Sequence, residues 1–286
     1  MKKATTVEEQ IEILKSRGMI LDLETEEIKK ILLNIGYYRL GFYWHYFQVN
    51  KEHQFKENTK FSDVIALYNL DANLRSLLMN IINQIEINFR TKLIYWVSNE
   101  YKESPTWFAD TRIVERKYVE DLEKIYDNKF KTNNKAIQRH HLKYINDLYA
   151  PAWKTLEFFT FGNIVYLYKN LKNKELKAKI AKEFGIKKVH IFENFIQTTI
   201  FIRNISAHGN ILYDCNTSKR IEKFPLIDFE NEDRHNLKSC IKVIFYLLGT
   251  FAPESRIMYE KKFGSYISKI IDNNDVIKQI LKRGLI

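Results

Sequence analysis

The chain has 286 residues, 45% of them hydrophobic, with only 9 glycines and 4 prolines. It is apolar enough to bury a core and too poor in turn formers for a sandwich or barrel of short strands, so disorder and all-β architectures are excluded in favour of helices. Lys and Arg number 46 against 35 Asp and Glu, a formal net charge of +11 that points to an anionic partner, either nucleic acid or an acidic membrane surface.

Met1 to Thr6 runs into Glu8 and Glu9 without an apolar leader, and the most apolar late stretch, residues 241–252, is too short to span a bilayer. A soluble, cytoplasmic protein with no membrane partner is expected. Thr6 followed by Glu9 makes a capping box that starts the first helix, and Gly18 is placed to end it. A second short helix follows over residues 25–34. Residues 36–47 then carry seven aromatics around two glycines, too many for a solvated loop. They read either as a buried aromatic seam or as a base-stacking platform.

From Ser62 to Val97 apolar positions recur at three and four residues with no Pro or Gly, which predicts one long helix or two nearly collinear ones. Its other face carries Asp71, Arg75, Glu86 and Arg90; Glu86 and Arg90 are spaced to pair as a surface or inter-helix ion pair, or to support an active site. Residues 112–148 are polar and Lys/Arg-rich, with a turn at Thr132, Asn133 and Asn134, and read as a peripheral helical hairpin. Arg139, His140 and His141 within it lack ligand partners at metal spacing. A third apolar segment, residues 153–171, contains Thr160, Phe161, Gly162 and Asn163. Residues 169–188 follow with 8 Lys against 2 Glu. That run is either a solvated face or an RNA-backbone contact through Lys172, Lys177, Lys179 and Lys182.

Residues 189–205 form a strongly apolar, hence central, helix. Residues 211–231 read as a crossing loop, residues 237–251 as a further buried helix, and the stretch from Ser255 as one or two short amphipathic helices. The domain expectation is an N-terminal unit over 1–60 and a helical domain over 61–286 with a basic insertion near 112–148, or one continuous domain. Cys215 and Cys240 form no C-x-x-C pair, so neither a disulfide framework nor a zinc site is indicated.

No phosphate-binding Gly-rich loop, H-E-x-x-H or G-x-S-x-G is present. What remains is Arg203 with His208, the pattern R-x4-H. Arg39 and His45 also match, as R-x5-H, but lie in the aromatic segment, where packing accounts for them. At Arg203 the context differs, because an apolar helix ends in Arg203, Asn204, Ser206, His208 and Asn210, and Gly209 can adopt the left-handed conformation that stops a helix. Cleaving RNA without a metal needs a group titrating near neutrality and a fixed cation, which His and Arg supply. The blander reading is a capping arginine with a surface histidine.

The ordered blocks Ile11 to Gly18, Tyr37-Tyr38-Arg39-Leu40 within residues 36–47, Tyr68-Asn69-Leu70-Asp71 with Leu74-Arg75, Ile85-Glu86 with Arg90, Trp153 with Thr160-Phe161-Gly162, and Arg203-Asn204 with His208 fall within roughly residues 7–214. In this order they resemble the Abi-like (abortive-infection) family of bacterial HEPN-fold proteins. The resemblance implies an all-α, HEPN-like bundle and an RNase motif on Arg203, Asn204 and His208 with no metal or cofactor. It further implies a role in phage defence or as the toxin of a toxin-antitoxin system, restrained by a small noncoding RNA. Because one Arg and one His are few groups for in-line phosphoryl transfer, two copies facing one cleft are expected, and the resemblance implies the same homodimer. The other reading from the same basic surface is a regulatory protein that holds a small noncoding RNA without cutting it.

Overall fold

Residues 3–229, 233–272, 274–282 and 284–285 are described by a computed structural model, and among them the chain is all-α, with no strand and only isolated bridges. Met1, Lys2 and residues 230 and 231, on which expectations about the leader and the crossing loop fall, lie outside the described residues. Helix α1 (Val7–Ser16) begins with the capping box read from the sequence: Thr6 Oγ1 accepts from the Glu9 amide at 3.2 Å and the Thr6 amide donates to Glu9 Oε2 at 2.7 Å. Gly18 stops it at φ +88°. Helices α2 (Thr25–Ile35) and α3 (Tyr37–Trp44) follow. The aromatic segment is thus a helix with a 3₁₀ turn, His45–Phe47, at its end.

The frame of the molecule is α4 (Phe61–Glu100), one unbroken helix of 40 residues and roughly 60 Å. Its continuity follows from the absence of Pro and Gly, and its length lets it touch most of the fold. Phe89, fully buried, meets the rings of Phe161, Tyr168, Phe184 and Phe192 at 5.5–6.4 Å between centroids. Truncating such a ring costs about 3–5 kcal/mol.

Between α4 and the basic run come α5 (Arg116–Ile125), α6 (Asn128–Asn133) and α7 (Lys135–Lys143). They are three short helices rather than a two-helix hairpin, with Asn134 at the expected turn donating its side-chain amide back to the Phe130 carbonyl at 2.8 Å. They stay at the periphery, anchored by Tyr118, Leu122 and Ile137. The apolar segment over 153–171 forms two helices, α8 (Ala152–Thr155) and α9 (Phe161–Lys169). Thr160 caps α9, its hydroxyl accepting from the Asn163 amide at 3.2 Å, so the chain must leave the helical path just before it.

Helix α10 (Lys174–Lys182) leads into α11 (Val189–Ala207), which runs antiparallel to α4: Phe192 meets Phe89 near its start, and Asn210, just past its end, meets Arg75. Helix α12 (Leu237–Gly249) packs on both, and α13 (Pro253–Ile271) and α14 (Asp275–Leu281) close the chain. The C-terminal stretch is more helical than expected, α13 alone having 19 residues. No described helix is long and apolar enough to cross a membrane.

Candidate functional site

The end of α11 is built by a specific hydrogen-bond pattern. The His208 amide donates to the Asn204 carbonyl at 3.1 Å, Gly209 adopts φ +66°, and the Asn210 amide reaches back to the Ile205 carbonyl at 3.0 Å. This is the Schellman arrangement, which a left-handed residue makes possible and which satisfies carbonyls the helix would leave open. Beyond it the chain is clamped to α3 and α4. Arg39 Nη1 donates to the Gly209 carbonyl at 2.8 Å and Arg75 Nη1 to the Asn210 carbonyl at 3.1 Å. Two cations thus sit at the negative end of the helix, where they are favoured.

Asp71 organises this clamp. Its Oδ1 accepts from the Leu212 and Tyr213 amides at 3.0 and 2.7 Å, and its Oδ2 accepts from the Tyr43 hydroxyl at 2.9 Å and from the Arg75 guanidinium. Burial pushes the Asp71 carboxyl up, against Arg75, the Tyr213 amide, the Tyr43 hydroxyl and the Leu212 amide, which all favour its charged form. Tyr46 adds a bond to Asp214. Asp71 and Arg75, expected on the face of α4 away from its apolar stripe, are in fact buried. The reason is residues 209–214, which lie across them.

Within this frame Ser206 is buried, Arg203 half-buried, and Asn204 and His208 exposed. Arg203 Nε is enclosed without a partner, and Nη1 makes only a long contact, 3.4 Å, to Asn204 Oδ1. No described carboxylate pairs with this guanidinium, so its charge is available to a ligand. The His208 imidazole faces solvent one turn beyond Asn204. A fixed cation and a group able to carry a proton therefore share the end of one rigid helix. Arg39 joins them, although the sequence motif to which it belongs matched only by accident: its partner His45 instead bonds the Phe42 carbonyl at 3.0 Å and lies tilted against the Tyr46 ring. Arg39 and Gly209 are 170 residues apart, and no local spacing signals their meeting.

The other expected residues make contacts of their own. Arg90 Nη2 bonds Glu86 Oε1 at 2.7 Å and the Phe159 carbonyl at 2.9 Å. Glu86 stands about four turns, roughly 22 Å, along α4 from Asp71. The Glu86–Arg90 pair holds the break before α9 through the Phe159 carbonyl. On the basic run Lys172, Lys179 and Lys182 are exposed. Lys172 reaches the Thr111 carbonyl at 2.7 Å, and Lys179 lies 3.7 Å over the Trp96 ring. Lys177 is drawn inward, bonded to Glu193 at 2.8 Å and to the Lys169 carbonyl at 3.0 Å. His140 is buried against Asp147 at 2.9 Å and His141 bonds Tyr126. Among the described residues no cluster of three or more His, Cys, Asp or Glu could hold a metal ion.

The model of one protein family, described as Abi-like protein, matches residues 30–214. This span contains α3, the Asp71–Arg75 pair and the whole end of α11, and it finishes at Asp214, the last residue of the clamp. No match was found among curated proteins or solved structures. The match covers well over half of the chain, which therefore belongs to the Abi-like family, and this membership points to a part in abortive infection, the defence against phage.

Proposed function

We propose that the chain is a metal-independent endoribonuclease of the HEPN type, acting in the cytoplasm in abortive infection or as the toxin of a toxin-antitoxin system. The observation that carries this reading is that a half-buried Arg203 guanidinium, unpaired with any described carboxylate, and an exposed His208 both belong to the clamped end of α11. In the reaction the 2′-oxygen of a ribose attacks the adjacent phosphorus, its proton passing to a base. The 5′-oxygen of the next nucleotide leaves and takes up a proton. The products are a 2′,3′-cyclic phosphate and a 5′-hydroxyl. His208 moves a proton in this step, Arg203 stabilises charge on the equatorial oxygens, and Asn204 orients the phosphate. A homodimer brings a second copy of these groups to the same phosphate, and a small noncoding RNA held on the basic surface keeps the enzyme restrained.

The test is incubation with RNA in excess EDTA. Cleavage to cyclic-phosphate ends is expected, falling by about 10²–10⁴ in His208→Ala while RNA binding persists. Intact RNA with binding retained in the wild type would identify a regulatory RNA-binding protein instead.

A further inference from the structure

The seven aromatics of residues 36–47 do not share one fate. Tyr43, Trp44 and Phe47 are buried, whereas Tyr38 is 81% and Phe42 42% exposed. Those two rings meet edge to face at 5.2 Å between centroids. Positions 38, 42 and 45 fall on one side of a helix of 3.6 residues per turn, so the exposed His45 continues the stripe. Two adjoining rings left in water are an unfavourable exposure that binding would remove.

The stripe is tied to the end of α11. Arg39 follows Tyr38 in the chain, stands one turn from Phe42 and donates to the Gly209 carbonyl at 2.8 Å. Its Nη2 lies 3.5 Å from where a Cβ on Gly209 would be. Gly209 is the residue after His208, so Arg39 is the common neighbour of the aromatic pair and of the candidate catalytic end.

We infer that Tyr38 and Phe42 form a stacking subsite for an unpaired nucleobase of the RNA beside the bond addressed by Arg203 and His208, with Arg39 presenting its free N–H groups to the adjoining phosphate. The inference rests on the ribonuclease reading for its position relative to the cut. A guanidinium has five donors and only Nη1 is committed to Gly209. A duplex hides the faces of its bases, so the substrate class is single-stranded RNA or a looped region. Every base has a face to stack, so base preference is weak.

The experiment uses a short single-stranded RNA carrying 2-aminopurine and the non-cleaving His208→Ala protein. Binding is expected to quench the 2-aminopurine. Adding Tyr38→Ala and Phe42→Ala should relieve the quench and weaken binding roughly five- to a hundredfold, the value of one lost stack, with the salt dependence unchanged. Tyr38→Trp should retain tight binding, and the same RNA in duplex form should show neither effect. In the cleaving background the double variant should raise KM more than it lowers kcat. Unchanged affinity and quench would overturn the inference. So would an equal loss on duplex RNA, or a fall in particle mass by light scattering, which would make this face a contact between copies. If the wild type never cuts RNA while the quench and its loss are observed, the ribonuclease reading fails and the stacking subsite stands.

Discussion

Asp71 shows how much one side chain can commit. Its two oxygens satisfy two backbone amides, a tyrosine hydroxyl and a guanidinium, and none of the four can turn to water. Replacing it with Ala strands Arg75 as a buried cation and leaves the amides unpaired, so Asp71→Ala should lower stability by about 3–5 kcal/mol in urea unfolding. Arg203→Ala, which breaks no ion pair among the described residues, should leave stability nearly unchanged. The same carboxylate acts on its neighbours: burial, Asp71 and Asp214 push the Cys215 thiol up to about 12, and burial and Asp71 push Tyr43 up to about 12. In the unfolded chain these groups ionise near about 8.5 and 10. Between those values and 12 the folded state keeps protons the unfolded state has released, so this contribution is complete below about pH 8.5 and is lost as pH rises through 12. The urea midpoint should therefore fall across that window, and Cys215→Ala should flatten the early part of the fall. A midpoint insensitive to alkali would show that these groups are not protected.

At the scale of elements, the lysines of α10 and its flanks separate into two kinds. Lys172, Lys179 and Lys182 are exposed, while the Lys177 ammonium is enclosed with Glu193. Changing the three exposed ones to Gln should reduce the slope of log affinity for single-stranded RNA against log salt by about 2, since each phosphate contact contributes about 0.7. Lys177→Gln should leave the slope alone and cost on the order of 1–3 kcal/mol of stability, because Glu193 loses its cation. If Lys177→Gln alone flattens the slope, the division is wrong. The periodicity that made α4 and α11 legible is local, so residues 62–97 and 189–205 were placed to within about three residues of Phe61–Glu100 and Val189–Ala207. The capping box and Gly209 were legible for the same reason. What escaped was every long-range meeting. Asp71 and Arg75 read only as lying on the face opposite the apolar stripe, because nothing in their own helix shows that residues 209–214 will cover them. Arg39 looked incidental because its partner carbonyl is a backbone group far along the chain. The split at Thr160 is not legible either, because the composition of the apolar run fits one helix as well as two.

For the whole molecule, the question is whether one chain completes the site. On α11, Phe195 and Ile202 are wholly buried in the chain's own core and have nothing left for a partner, while Ile205 is half-buried. Exposed Gln197, half-buried Phe201 and exposed Asn204 and His208 recur at the spacing of one helix face. Two such faces laid against each other about a two-fold axis would bring the Asn204 and His208 of both copies to one cleft. The net charge of +11 opposes that approach, and RNA phosphates between the copies would offset it. The expected outcome is therefore a homodimer by light scattering, tightened by RNA and broken by Phe201→Asp, which sets a charge in the middle of the shared face. Mixing Arg203→Ala chains with His208→Ala chains should then restore cleavage that neither has alone, because each supplies what the other lacks across the axis. A wild type that stays monomeric with and without RNA, yet cuts, would place all the chemistry in one chain. Arg39, already bonded to the carbonyl of Gly209, would then be the second cation.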